Sequence, residues 1–454
     1  MQSQDEVVSP TGWKAGDTTP SRWKTSSVTN DAVRAAIHAP LTWLGTPAHA
    51  RWLEAHTDEL IAFASGSGIP AGFGYMDNDG DPRDPEEAEL WITCRMIHSY
   101  SLGTLLGRPG CAVLVDHGLV ALAETFADVE NGGWYSKATL DGPTASIKEA
   151  YAHAFVLLAT SSAMLAGRPG AAELLDQAKA VHSERFWNEE EGMAVESWNA
   201  DFTECEDYRG VNANMHTVES YLAVADATGE GIWRERALRI LTRVMGYAKD
   251  YSWRIPEHFS TTWEALPDYN TDERAHPFRP YGATVGHWFE WARLGLHARA
   301  AVIAHAEDEA AATAETAWLL DSAVALFEAG VREGWDVDGE EGFVYTVDFD
   351  GVPVVRERMH WVVTEALAAA AALWRATGDE SYDQHYAQWW DYAQVYLLDG
   401  SGSWVHELDV ENNPADTVWP GKPDIYHAIQ ASLIPRLPLW PALASAVKAG
   451  LLDS

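Results

Sequence analysis

Six short segments of the sequence combine ionisable and aromatic side chains at helical spacing, and they recur roughly every 55 to 75 residues. They read Trp91-Ile-Thr-Cys-Arg95-Met-Ile-His98, Lys148-Glu-Ala-Tyr151-Ala-His153, Asn212-Ala-Asn-Met-His216-Thr-Val-Glu219, Gly286-His287-Trp-Phe-Glu290, Met359-His360-Trp361 followed by Glu365, and Pro423-Asp-Ile-Tyr-His427. Arg95 and His98, His216 and Glu219, and His287 and Glu290 are each three positions apart, which puts both members of a pair on one helical face. Histidine dominates the set. An imidazole gives and takes protons near neutral pH, and a carboxylate on its other ring nitrogen raises its basicity. An arginine fork offers five donors to hydroxyls or to a developing oxyanion. If six helix N-termini met in one cavity, their dipoles would favour partial negative charge there, such as that of an enolate oxygen.

Each of these residues also has a purely structural reading. A lone helical histidine ordinarily packs in a core or lies on a surface, and His38, His49, His56, His117, His182 and His305 are read that way. Glu290 has a counterpart reading as an N-terminal helix carboxylate, and Arg95 as half of a buried ion pair. His287, His427, His216, His98, His153 and His360 are separated from the first group by their recurrence at equivalent helix ends. Metal binding is not indicated: no His-Glu-x-x-His occurs, and Asp77-Asn-Asp79-Gly-Asp81 has Pro82 where a calcium loop needs glycine and Ala88 where it needs glutamate. That run reads as a turn.

The elements that must position these residues are helices. Helical apolar periods occupy about 49–65, 91–106, 113–127, 146–166, 171–186, 212–228, 232–249, 282–299, 314–331, 358–376, 380–397 and 424–440. Short links punctuated by glycine, such as Gly107-Arg-Pro-Gly110, Gly167-Arg-Pro-Gly170 and Thr228-Gly-Glu-Gly231, follow the even-numbered helices and predict αα-hairpins. Longer links with alternating or aromatic runs, such as Gly342-Phe-Val-Tyr-Thr-Val-Asp348, precede them and predict small β-hairpins. Six helix pairs with short loops at one end and decorated loops at the other predict an all-α fold, an (α/α)6 barrel of twelve helices whose even-numbered members form the inner ring. Residues 1–40 lack periodicity and read as an N-terminal arm, leaving 41–454 as a single barrel domain.

Composition excludes several functions. With 31 Lys and Arg against 68 Asp and Glu, the net charge of −37 repels nucleic acid and anionic membranes. Three cysteines without metal-type spacing, and an N-terminus without a basic start and apolar run, predict a soluble cytoplasmic protein. The 22 Trp and 16 Tyr, many beside polar residues, suit packing against carbohydrate C–H faces as well as ordinary cores.

The strings Arg95-Met-Ile-His98, Tyr151-Ala-His-Ala-Phe155, Asn212-Ala-Asn-Met-His216-Thr-Val-Glu219, Gly286-His287-Trp-Phe-Glu290-Trp-Ala-Arg293-Leu and Lys422-Pro-Asp-Ile-Tyr-His427 together resemble the N-acylglucosamine 2-epimerase superfamily, in particular its mannose isomerase and sulfoquinovose isomerase branch. The resemblance covers about residues 45 to 440. It implies an (α/α)6 barrel acting on a small monosaccharide without metal or nucleotide cofactor. His287 and His427 fall on the family's two proton-transferring histidines, Arg95 on its sugar-binding arginine, and His216 and Glu290 on its supporting pair; Arg279, in Pro277-Phe-Arg-Pro-Tyr281, is a looser match for a binding residue. His98, Tyr151, Glu219, His360 and Trp361 complete the expected substrate contacts. On this reading a neutral imidazole removes the C2 proton of an open-chain aldose to give a cis-enediol, and returning it to C1 makes the ketose. His427 is expected to act at C1 and C2, and His287, held by Glu290, in ring opening or proton return, with the two roles interchangeable. Mannose to fructose is the reaction favoured. The alternatives are a sugar 2-epimerase of mannose/glucose or cellobiose type, an inverting (α/α)6 glycoside hydrolase working through two of Glu219, Glu290 and Glu365, and a non-catalytic sugar-binding barrel. The oligomeric state is not legible.

Overall fold

Gly107-Arg-Pro-Gly110 and Gly167-Arg-Pro-Gly170 reverse the chain in the same way: all four glycines have φ between 70° and 89°, where a Cβ would be strained. Arg108 of the first turn donates to Asp58 and Glu54 at 2.6 and 2.7 Å, and Arg168 of the second donates to Asp116 at 2.8 and 2.6 Å, so each turn is pinned to the preceding outer helix. Gly229 and Gly378, with φ of 78° and 74°, end the preceding helix at two further turns between paired helices. The structure, a computed structural model, describes residues 42–454; the expected arm over residues 1–40 lies outside the described residues.

The helices are α1 (Pro47–Ala64), α2 (Leu90–Leu105), α3 (Cys111–Val120), α4 (Ala150–Leu165), α5 (Ala171–Val181), α6 (Val211–Thr228), α7 (Gly231–Asp250), α8 (Val285–Ala304), α9 (Glu309–Glu315), α10 (Ala317–Gly334), α11 (His360–Thr377), α12 (Glu380–Tyr396), α13 (Tyr426–Leu433) and α14 (Leu443–Lys448). α2, α4, α6, α8, α11 and α13 form an inner ring in which each packs on the next and α13 closes against α2. These six are buried on nearly every face, as helices apolar all round must be, whereas outer helices such as α7 and α10 bury only one stripe. The predicted (α/α)6 barrel is therefore present. α9 and α14 are additions that the sequence periods do not announce.

Most helix boundaries shift by a few residues from expectation, and two of the shifts have a clear local cause. α4 begins at Ala150 rather than 146 because Gly142–Ala145 is a strand and Lys148 bridges to Trp198. α13 stops at Leu433 rather than 440 because Pro435, lacking an N–H, turns the chain into a 3-10 segment over Ile434–Arg436.

The extended segments ahead of the inner helices form a second, smaller ring. Ala88 pairs with Ala138, Lys148 with Trp198, Arg209 with Phe259, Thr284 with Thr346, and Arg358 with Leu408, each linking one repeat to the next; Lys422 then pairs with Met76 and returns to the first repeat. All six pairings are antiparallel. This collar fixes the start of every inner helix. The expected turn at Asp77 is confirmed, with Asp77 Oδ1 accepting the amides of Asp79 and Asp81 at 2.9 and 3.1 Å. Among the described residues no helix is long and apolar enough to cross a membrane.

Candidate active site

The inner-helix N-termini surround a cavity of about 670 Å³, counted to its open mouth. Eight of the predicted residues line it: Arg95, Tyr151, His216, His287, Glu290, His360, Trp361 and His427. Residues not predicted complete the wall, notably Phe278, Tyr345, His406, Trp419 and Asp424. Phe278 packs edge-on against Trp91 and Trp419, with ring centroids at 5.8 and 5.0 Å, so aromatic rings frame the mouth.

Two histidine–carboxylate pairs flank one indole. His427 Nδ1 lies 3.0 Å from Glu365 Oε1, and His287 Nδ1 lies 3.0 Å from Glu257 Oε1. With Nδ1 of each ring held by a carboxylate, Nε2 is the edge left for chemistry. The Trp361 ring sits between them, its centroid 5.2 Å from His287 and 5.7 Å from His427. The expectation that Glu290 holds His287 is corrected here. Glu257, which reaches in from the loop ahead of α8 and also accepts the Thr284 amide at 3.4 Å, takes that place, because residues three apart on one helix stand side by side rather than end to end.

Glu290 belongs to a deeper charged layer. Arg293 donates to Glu365 Oε2 at 3.0 Å and to Glu290 Oε1 at 3.4 Å, while His216 Nδ1 stands 3.6 Å from Glu219 and 3.7 Å from Glu290. Burial, then the charge of Glu365, pushes the Glu290 carboxyl well above the usual carboxylate range, with Arg293 opposing. Burial also pushes Glu365 up, against Arg293 on its other oxygen. Glu219 goes the other way: burial alone would raise it, but His216, Arg293 and the Tyr426 hydroxyl outweigh that and hold it ionised. Burial, helped by Arg95, holds His427 well below its ordinary value, and burial brings His216 down to about 4. Both imidazoles are thus neutral, the form a base requires.

Arg95 donates to Asp424 at 3.2 Å and to the Tyr151 hydroxyl at 2.8 Å. Its guanidinium lies over the rings of Phe155, Tyr426 and Trp91 at 4.5, 4.6 and 5.0 Å, an arrangement that favours the charged fork in a buried position. His360 stacks on His406 with centroids 3.7 Å apart, and burial pushes both well below their ordinary range, helped by His427 for His360 and by His360 for His406. Two groups of three possible metal ligands, His216–Glu219–Glu290 and Glu290–Glu365–His427, bring donor atoms within 4.8 Å. Both include Glu290, where Arg293 already supplies a cation between carboxylates and opposes a second.

Three predicted residues lie elsewhere. His98 bonds Ser162 at 2.7 Å and, with Glu219, lines a separate cavity beneath the site. Glu219 does not line the active-site cavity; it accepts from Tyr426 and Gln430 and stands 3.6 Å from His216, which does. Arg279 makes a two-pronged ion pair with Glu206 at 2.6 and 2.9 Å in a chamber beside the catalytic cavity. His153 is structural, its Nδ1 bonding the Glu149 carbonyl at 2.8 Å and its Nε2 accepting the Trp134 amide at 3.1 Å. His49, His56, His117, His182 and His305 are likewise held by Tyr386, Trp404, the Ile69 and Gly72 carbonyls, Tyr221 and the Ala301 carbonyl; His38 lies outside the described residues.

The family model for N-acylglucosamine 2-epimerases matches residues 71–431, a span that contains every residue of the cavity. The chain belongs to the N-acylglucosamine 2-epimerase family. Within that family it is 52% identical over 410 residues to a protein of Thermobifida fusca named D-mannose isomerase, covering 89% of this chain and 98% of the relative. A D-mannose isomerase of Pseudomonas cannabina pv. alisalensis is 46% identical over 416 residues, covering 91% and 99%. A crystal structure of a D-mannose isomerase superposes with a TM-score of 0.77 at 27% identity, covering 85% of this chain and 98% of that one.

Proposed function

We propose that the protein is a sugar isomerase that interconverts D-mannose and D-fructose. The observation that carries this reading is the pair of histidine–carboxylate dyads on either side of Trp361. Two imidazoles presented to one small space, with a flat apolar ring between them, suit a substrate that must lose a proton from carbon and move another between oxygens.

His287, backed by Glu257, acts as acid and base at oxygen in opening the pyranose. His427 Nε2 then removes the C2 proton; the C–H electrons form the C1–C2 double bond, and the carbonyl electrons move onto O1, whose charge Arg95 and the inner-helix dipoles stabilise. The O2 proton passes to O1 with His287 as carrier, and His427 returns its proton to C1, leaving the ketone at C2. His427 takes the carbon role because it stands in the field of Arg95 and is kept neutral by burial. Tyr151, His216, His360 and Trp361 hold the hydroxyls and the C–H face, and Glu290, whose carboxyl burial pushes up, borders the same space. The three unpaired cysteines fit a reducing compartment, and we place the protein in the cytoplasm.

An inverting hydrolase is not favoured. The carboxyl groups on the cavity, Glu290 and Asp424, are engaged by Arg293 and Arg95, and such a reaction leaves five lining histidines without a part. The deciding experiment is proton NMR of the protein with D-mannose in D2O containing EDTA. Fructose is expected, carrying deuterium at C1 to the extent that the proton on His427 exchanges with solvent before its return, and its loss in His287→Ala and His427→Ala. Glucose without fructose would make the protein a 2-epimerase, and the absence of both a ketose product and deuterium entering mannose at C2 would refute the proton-transfer reading.

A further inference from the structure

Arg279 lines a side chamber of about 960 Å³, counted to its opening, that shares Trp91, Tyr151, Asn212 and Phe278 with the catalytic cavity as a common partition. Its floor carries Glu196, which is only 6% exposed, lines the chamber and accepts no hydrogen bond among the described residues. The Glu196 oxygens are not sealed away from the chamber, so the hydroxyls of a ligand can reach them in place of water. Burial raises Glu196 to about 8, and burial with the nearby charge of Glu89 raises Glu149 on the same wall. Ser136 and Ser197 add hydroxyls, and Trp91, Tyr208 and Phe278 add ring surface.

The surrounding charges narrow the ligand. Arg279 lies flat on the Tyr208 ring at 4.0 Å with its charge matched by Glu206, and Lys137 is matched by Glu89 at 3.2 Å, so neither is free to draw an anion past two carboxyls. The groups of three donors close enough to hold a metal ion, among the described residues, all include Glu290, and none has a member lining the chamber. What remains is a neutral ligand with many hydroxyls and an apolar face. Carboxyl groups grip adjacent hydroxyls in two-point fashion, and aromatic rings pack the C–H face.

We propose that this chamber is a second sugar-binding site, distinct from the catalytic one, that takes a neutral hexose between Glu196 and the Trp91–Phe278 partition. Its occupant would stand against the far side of rings that frame the catalytic mouth.

The test is equilibrium dialysis of radiolabelled D-mannose against the full-length His427→Ala protein, a choice of probe that rests on the mannose reading, and against the same protein carrying Glu196→Leu, Glu196→Gln or Ala145→Trp. Leucine removes the hydrogen-bonding group, glutamine keeps it, and tryptophan at Ala145 fills the chamber from its rim without touching Glu196. The expected result is two sugars retained per chain, falling to one in Glu196→Leu and in Ala145→Trp but not in Glu196→Gln. Equal retention in all four proteins would overturn the proposal. Should mannose not be the catalytic substrate, the wild-type turnover assay reports that separately, and the one-sugar difference between Glu196→Leu and Glu196→Gln still reads the chamber alone.

Discussion

Replacing Glu257 separates the role of a carboxylate partner from that of an imidazole. Glu257 is 4% exposed, lines no part of the catalytic cavity and touches its chemistry only through the 3.0 Å bond to His287 Nδ1. A hydrogen bond to an ionised partner contributes about 1.5–3 kcal/mol and a neutral one about 0.5–1.5 kcal/mol. Glu257→Gln keeps an acceptor for Nδ1 and for the Thr284 amide but loses the charge that stabilises the imidazolium when His287 takes up a proton. The difference, about 1–1.5 kcal/mol, corresponds to a fall in kcat of roughly 5- to 13-fold. Glu257→Ala loses the whole bond, about 2–3 kcal/mol, or roughly 30- to 150-fold. Initial rates of ketose formation from D-mannose across a concentration series measure both, and KM is expected to stay within about threefold because the sugar does not touch Glu257. Two variants with wild-type kcat, or a loss carried entirely by KM, would refute the assignment of Glu257 as the group that orients and charges His287. Stability is expected to hold in the glutamine variant, since a buried carboxylate becomes a neutral amide of the same shape.

Gly286→Ala would place a Cβ 2.3 Å from the edge of the Trp361 ring, so the indole between the two histidines must move; kcat is expected to fall on the order of 100-fold and unfolding free energy, from urea titration, by about 1–3 kcal/mol. Lys148 is wholly buried and donates to Asp128 at 2.7 Å and to the Gly132 and Ala200 carbonyls at 2.6 and 2.5 Å, so Lys148→Met, leaving the Asp128 charge unpaired, is expected to cost about 3–5 kcal/mol in the same assay. Burial depresses His98 and His216 to about 4 and His153, His182 and His297 to about 3. Unfolded histidines accept protons near pH 6.5 that these native ones refuse, so their stabilisation is complete above about 6.5 and is lost as pH falls toward 4; for His98 the limit is roughly 3 kcal/mol. The raised carboxyls Glu196, Glu290 and Glu365 act in the opposite sense, so the urea midpoint should drop below pH 6.5 by the excess of the five histidines over these three groups, and a midpoint that rises steadily down to pH 4.5 would contradict the burial of these rings.

The barrel was legible because its signals are local. Apolar helical spacing and the repeated Gly-Arg-Pro-Gly turn sit within a few residues of the structure they cause, and so do the polar openings of the inner helices. The sites that escaped depend on distance in the chain. Glu257 lies 30 positions from His287 in a loop without periodicity, and His406 lies 46 from His360, so nothing in their own neighbourhoods marks them. Arg279 carries the right chemistry, but Glu206, 73 positions away, claims it. His98 and Glu219 share a helical face with Arg95 and His216, yet three residues of helix is a displacement of about 4.5 Å along the axis, enough to put each a layer below the cavity that Arg95 and His216 line. A shared face is visible in a sequence; depth is set by where the neighbouring helices begin.

The strand collar has a consequence for how the protein is made. Its last link joins the first repeat to the last, where Lys422 pairs with Met76 and Arg83 holds the Pro420 carbonyl 337 positions away. At synthesis rates of about 5–20 residues per second, the earlier partner waits roughly 20 to 70 s for the later one. Throughout that interval the growing barrel is an open crescent, with a bare sheet edge at residue 76 and the apolar flank of α2 that α13 will cover exposed to solvent. A ribosome stalled or a chain cut before residue 422 should therefore yield material that aggregates or is held by chaperones rather than a soluble, inactive barrel, and His427, on the closing helix, comes into place only when that danger has passed.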